Sequence, residues 1–192
     1  MADEPQAQPH GDALLDPPPP SAAPAEGAGW RALLKPSLLI TAAGIVLLDQ
    51  STKALVAAAL PLYESVTIVP GLVDFTHVRN TGAAFGLLNT ADLPMKWALM
   101  VTMAVVAIVA IGAYGATLRA DENIARAGLS LVLGGAVGNL IDRARLGYVL
   151  DFVDVYSGTW HFWAFNVADA AITVGALLVI FDLLGVRGRA RD

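Results

Sequence analysis

Four apolar stretches, at about 36–61, 94–118, 124–146 and 162–184, fill half of this 192-residue chain. Each is close to the ~20 residues that a helix needs to cross hydrocarbon. Backbone in a bilayer must satisfy its own N–H and C=O groups, and runs of this length do so as α-helices. The second stretch carries no charge from Trp97 to Leu118. With 56% hydrophobic and only 15% charged residues, the chain is far from the balance of a soluble domain. The expected fold class is an α-helical integral membrane protein with four transmembrane helices.

An even number of crossings puts both termini on one side. Cations near the helix ends on that side are Arg31, Lys35, Arg119, Arg126, Arg187, Arg189 and Arg191, against Arg79, Lys96, Arg143 and Arg145 on the other. This asymmetry favours cytoplasmic termini. Trp97, Trp160 and Trp163 then fall at outer helix ends, where indoles favour the headgroup zone. Within residues 62–92, "SVTIVPGLVDFTHV" places β-branched runs on both sides of Pro70-Gly71, which reads as a hairpin or small sheet outside the bilayer. Residues 147–163 form the other outer loop, and the inner loop, about 119–123, is short.

The head, residues 1–29, holds seven of the eleven prolines and five acids without a Lys or Arg, so it is expected to be disordered. It lacks the positive n-region of a signal peptide, so a cleaved leader is not expected. Residues 30–186 form the membrane domain and 187–192 a basic cytoplasmic tail. The net charge of -5 belongs to the head, because the remaining chain has equal numbers of acids and bases. Without a basic stripe, nucleic acid is not an expected partner. There is no cysteine, and His10, His77 and His161 lack ligand-like spacing, so no metal or cofactor is expected.

Polar residues inside the apolar runs carry the chemistry. Asp49 and Lys53, spaced i, i+4, share a helix face and can neutralise one another, either as a buried structural pair or as the edge of a polar cavity. In "GGAVGNLIDR", Gly134 and Gly138 allow close approach of another helix. Asn139, Asp142 and Arg143 follow i, i+3, i+4. The last two can be an interfacial scaffold pair, while Asn139 could orient a catalytic group or a substrate amide. "RNTGAAFG", residues 79–86, is a glycine-containing loop able to approach a bound chain. "VLDFVDV" places Asp151 and Asp154 just past the third helix, and "NVAD" places Asp169 in the first turns of the fourth, about 10 Å deep at ~1.5 Å per residue. A lone carboxyl there could be an N-cap or a solvated group. Two that converge where water is partly excluded repel each other, raise one pKa and can share one proton. One then activates water as a general base while its protonated partner polarises a scissile carbonyl.

In order along the chain, "DQSTK" (49–53), "NTGAAFG" (80–86), "GNLIDR" (138–143), "VLDFVDV" (149–155) and "FNVADAAI" (165–172) resemble lipoprotein signal peptidase, the bacterial type II signal peptidase family of inner-membrane aspartic peptidases. The likeness covers about residues 36–185. It implies cleavage of prolipoproteins before a diacylglyceryl-modified cysteine, four transmembrane helices, a small extracytoplasmic β-cradle and an arm-like outer loop. It assigns catalysis to Asp151 and Asp169, with Asp154 ranked below Asp151. Asp49, Lys53, Asn80, Gly135, Asn139, Arg143, Asn166 and Ala168 fall on its other motif positions, as substrate-binding or site-supporting residues. Implied partners are lipid-modified prolipoproteins and membrane lipids. The alternative is a small proton- or ion-coupled transporter, with Asp49, Lys53, Asp142 and Asp169 as a relay.

Overall fold

The computed structural model describes residues 36–82, 95–118 and 121–185. The acidic head, the basic tail and the second half of "RNTGAAFG" lie outside them. Four helices appear in chain order: α1 (Pro36–Ala59), α2 (Lys96–Thr117), α3 (Asn123–Leu146) and α4 (Val167–Leu183). The first three are long and apolar enough to cross a membrane. α4 has 17 residues, about 25 Å at 1.5 Å per residue. Its sequence limits are narrower than the apolar run, because residues 162–166 are not helical.

Helix α3 is the centre of the bundle and packs against the other three. Its glycines set the distances. A Cβ on Gly134 would lie 2.8 Å from the Ala42 carbonyl oxygen of α1, and one on Gly135 would run into the Ala168 carbonyl oxygen of α4. Only glycine lets both neighbours come this close.

The bundle is inverted relative to a soluble protein. Ile40, Leu47, Leu55, Val106, Val109, Ile180 and Phe181 face outward, whereas Asp49, Lys53, Asn139, Asp142 and Asn166 are buried. Water would not tolerate that exterior over three long helices, but lipid does.

A four-stranded antiparallel sheet, in the order β1-β2-β3-β4, sits at one end: β1 (Ser65–Val69), β2 (Val73–Asn80), β3 (Val149–Ser157) and β4 (Trp160–His161). The β1–β2 hairpin turns at Pro70-Gly71 as its sequence suggests. The Leu72 N–H donates to the Val69 carbonyl at 3.0 Å, and Gly71 takes φ +78°, the value a type II turn demands at that position.

The second outer loop differs from expectation. Residues 149–157 form the longest strand, paired with β2 in the register Val78 to Asp151 and Asn80 to Val149. The cause is burial: Val149, Leu150, Asp151 and Phe152 are all buried, and so few unpaired backbone groups could be left there without cost.

Residues 162–165, apolar but extended, run beside this strand. The Phe165 carbonyl accepts from the N–H groups of Phe152 and Val153, and the Phe165 N–H donates back to Val153. α4 thus begins at a point fixed by β3, and this brings two distant acidic segments together.

Candidate active site

On the helical side, Asp49 and Lys53 form the expected pair at 2.8 Å. Lys53 does more than neutralise its neighbour. Its ammonium also meets Asp142 at 2.8 Å and donates to the Asn139 side-chain oxygen at 3.0 Å, which uses all three of its donors. Asp142 therefore turns to Lys53 across the α1–α3 interface. Its sequence neighbour Arg143 instead donates to the Gly82 carbonyl at 3.1 Å.

Both acids of this cluster also hold backbone. Asp49 accepts from the Ala168 N–H at 2.9 Å, and Asp142 accepts from the Leu150 N–H at 3.3 Å. One ties down the first turn of α4, the other the start of β3.

The second layer contains Asp151 on β3 and Asp169 in the first turn of α4. Asn166 links them. Its Nδ2 donates to Asp151 Oδ1 at 2.7 Å, its Oδ1 accepts from the Asp169 N–H at 2.9 Å, and its own N–H donates to Asp169 Oδ2 at 3.3 Å. The last two bonds are a capping box, so Asp169 is at once a helix-start residue and one of a carboxylate pair. It sits only about 3 Å along α4, less deep in the helix than the apolar run suggests. The remaining oxygens are also held: Asn139 donates to Asp169 Oδ1 at 2.8 Å and Asn80 to Asp151 Oδ2 at 3.0 Å. Asn80 is oriented in turn by the Gly82 N–H, 3.0 Å from its side-chain oxygen.

Burial, and next the charge of Asp169, push the Asp151 carboxyl up to about 7, against the opposing hydrogen bonds of Asn80 and Asn166 and the charge of Lys53. Asp49 and Asp142, each 2.8 Å from the Lys53 ammonium, offset its positive charge at this pair. Between about pH 4 and pH 7 the folded chain keeps a proton on Asp151 that the unfolded chain releases. This contribution to stability is full below pH 4 and is lost as pH rises through 7.

The same asymmetry has a kinetic consequence. Removing the Asn80 donor favours the protonated form of Asp151. Asn80→Ala is expected to move the titration of Asp151 to higher pH, followed through the pH dependence of activity; an unmoved profile would mean that Asp151 does not set it.

Of the other expected positions, Gly135 and Ala168 are packing residues in direct opposition, and Ala168 is fully buried. Asp154 lies three residues beyond Asp151 on β3, hence on the other face, where it pairs with His161 at 2.9 Å. Gln50 was not singled out in the sequence, yet its side-chain amide donates to Asp142 at 2.8 Å and reaches Asp49 and the Gly138 carbonyl at 3.2 Å. A glutamine inside an apolar helix was the available signal.

A bundle with an apolar exterior and two carboxylates bridged by Asn166 at its sheet-covered end defines a helical membrane protein with groups suited to general acid–base chemistry. Residues 41–185 match the signal peptidase (SPase) II family. The lipoprotein signal peptidase of Geobacter metallireducens is 49% identical over 146 residues, 76% of this chain and 88% of that one. That of Geobacter sulfurreducens is 45% identical over 141 residues, 73% of this chain and 87% of that one. A solved bacterial membrane enzyme, determined by the in meso method at 2.3 Å, superposes with a TM-score of 0.69 at 28% identity, covering 81% of this chain and 93% of that one. The chain belongs to the signal peptidase II family and is a peptidase. The transporter alternative has no support.

Proposed function

We propose that Asp151 and Asp169 are the catalytic pair of an aspartic endopeptidase that cuts prolipoproteins before a diacylglyceryl-modified cysteine. Removal of signal peptides from prolipoproteins is the activity of the family to which the chain belongs. The observation that supports the aspartic mechanism is Asn166, which donates to Asp151 through its side chain and to Asp169 through its backbone N–H and so ties both carboxylates to one residue. Asp151, protonated near neutrality, donates to the scissile carbonyl oxygen. Asp169 takes a proton from water as the water oxygen bonds to the carbonyl carbon. When the tetrahedral intermediate collapses, the C–N bond breaks, the leaving nitrogen takes the proton from Asp169, and Asp151 regains its own. Asn139 and Asn80 hold the two carboxylates in place, and Asp49, Lys53 and Arg143 support them from behind.

The proposal extends to the setting. α4, lengthened by the extended residues before it, is the fourth crossing. Both termini are cytoplasmic and the pair faces the outer leaflet of the inner membrane, in line with the cation asymmetry. The β1–β2 hairpin covers the peptide part of the substrate, while the two acyl chains remain in lipid. Each buried CH₂ contributes about 0.8 kcal/mol, so lipid anchoring supplies affinity that side-chain pockets would otherwise have to provide.

Purified enzyme given one precursor with and without the diacylglyceryl group tests the substrate assignment. Cleavage of the modified form is expected to be at least about 100-fold more efficient by kcat/KM, since loss of two acyl chains removes many CH₂ groups. Equal cleavage of both forms would refute it.

A further inference from the structure

The edge of the sheet that leads into α4 is aromatic and uncovered. β3 turns at residues 158–159, with Gly158 at φ +62°, and β4 returns as the outermost strand. Trp160 and Trp163 are each 61% exposed and Phe162 41%. The Trp160 and Phe162 rings lie 6.4 Å apart and those of Phe162 and Phe165 6.0 Å, so the row is continuous and stops one residue before Asn166, the N-cap of α4. His161 does not break it, because its ring turns to Asp154 at 2.9 Å and stacks on Tyr156.

What covers this edge is set by α4. The row runs directly into a helix whose Val174, Leu177 and Phe181 are exposed, so the two apolar surfaces are continuous. α4 is also short: its 17 residues give about 25 Å against about 30 Å of hydrocarbon. A helix that falls short of the span holds both of its ends at the hydrocarbon boundary. Residues 160–165, immediately before it, then lie at the bilayer surface. The backbone limits how deep they go. The outer side of β4 pairs with no strand among the described residues, and unpaired N–H and C=O groups are not tolerated in hydrocarbon. In the headgroup zone water satisfies them while the indole rings gain apolar contact.

We propose that the edge formed by residues 160–163 is a lipid-binding surface, seated in the headgroup zone of the leaflet nearest the carboxylates, with Trp160, Phe162 and Trp163 against the upper acyl chains. It rests on α4 as a membrane crossing and not on the catalytic assignment. Since the row is continuous with β3, which carries Asp151, and with α4, which carries Asp169, its seat also fixes the depth of both.

The chain has no cysteine, so a single one can be introduced and spin-labelled. Thr159→Cys puts a nitroxide on the exposed turn beside Trp160, and Leu177→Cys puts one on the exposed side of α4. In vesicles of phosphatidylethanolamine and phosphatidylglycerol, collisions with oxygen, which concentrates in lipid, and with a water-soluble nickel chelate report depth. The Leu177→Cys label should be reached by oxygen alone. The Thr159→Cys label should be reached by oxygen and, about fivefold less than a label free in water, by the chelate. Adding Trp160→Ser and Trp163→Ser to Thr159→Cys should raise its chelate collisions about twofold or more. Full chelate access at Thr159→Cys, with Leu177→Cys still sealed in lipid, would overturn the proposal and leave α4 as a crossing. A Thr159→Cys label reached by neither reagent would mean that protein covers the edge, and an unchanged depth without the two indoles would mean that the aromatic row does not seat it; either would overturn it. Chelate access at Leu177→Cys would remove α4 as a crossing and the proposal with it.

Discussion

Asp151→Asn and Asp169→Asn should each leave a folded enzyme that cuts its precursor at least 1,000-fold more slowly, on the order expected when general acid–base catalysis is removed. An amide keeps the size of the carboxyl but can neither take a proton from water nor hold the shared one. The fold should tolerate the change because two effects oppose each other. Both oxygens of Asp151 accept from side-chain amides, Asn166 and Asn80, so whichever way the new amide is turned, one NH₂ faces another. That costs about 1–3 kcal/mol. Against it, the substitution removes an acid that burial and Asp169 already disfavour in its charged form. The melting temperature should therefore stay within a few degrees of wild type while activity disappears. Wild-type cleavage in either variant would end the proposed mechanism.

Lys53→Met should do the reverse, acting first on stability. It leaves Asp49, fully buried, and Asp142, 3% exposed, without the ammonium that lies 2.8 Å from each. Breaking a buried ion pair costs about 3–5 kcal/mol, and here two acids lose their partner, against a total stability of about 5–15 kcal/mol for a domain. Thermal unfolding in detergent should show a large fall in midpoint. Because Asp49 holds the Ala168 N–H and Asp142 the Leu150 N–H, the damage should reach α4 and β3 and lower activity as well. Adding Asp142→Asn to Lys53→Met should recover part of the lost stability, since one uncompensated charge is gone. A wild-type midpoint for Lys53→Met would show that the cluster contributes nothing to the fold.

What the sequence disclosed follows the range of each interaction. Asp49 with Lys53, four residues apart, and the Pro70-Gly71 turn depend on neighbours and were legible. So was the convergence of Asp151 and Asp169, because helix topology alone sends both to one end. The start of α4 was less so: Phe162, Trp163 and Phe165 are as apolar as helix residues, and pairing of Phe162 and Phe165 with β3 keeps them extended. The capping pattern of Asn166 and Asp169 marked the true start. β3 was hidden for a related reason, since "VLDFVDVYS" lacks strict alternation when both faces of its first half are buried. The contact of Lys53 with Asp142 spans 89 residues and has no local signature at all. Gly135 and Ala168 came from resemblance alone, and their physical role is the close crossing of α3 and α4.

The most direct measurement is the rate at which purified protein releases the signal peptide from a diacylglyceryl-modified precursor, for wild type and for the Asp151→Asn/Asp169→Asn double variant, each with and without a chelator. The expected result is a single cut before the modified cysteine by wild type, at a rate the chelator does not change, and none above the spontaneous rate by the double variant. Cleavage by the double variant, or loss of wild-type cleavage on chelation, would contradict the catalytic carboxylate pair.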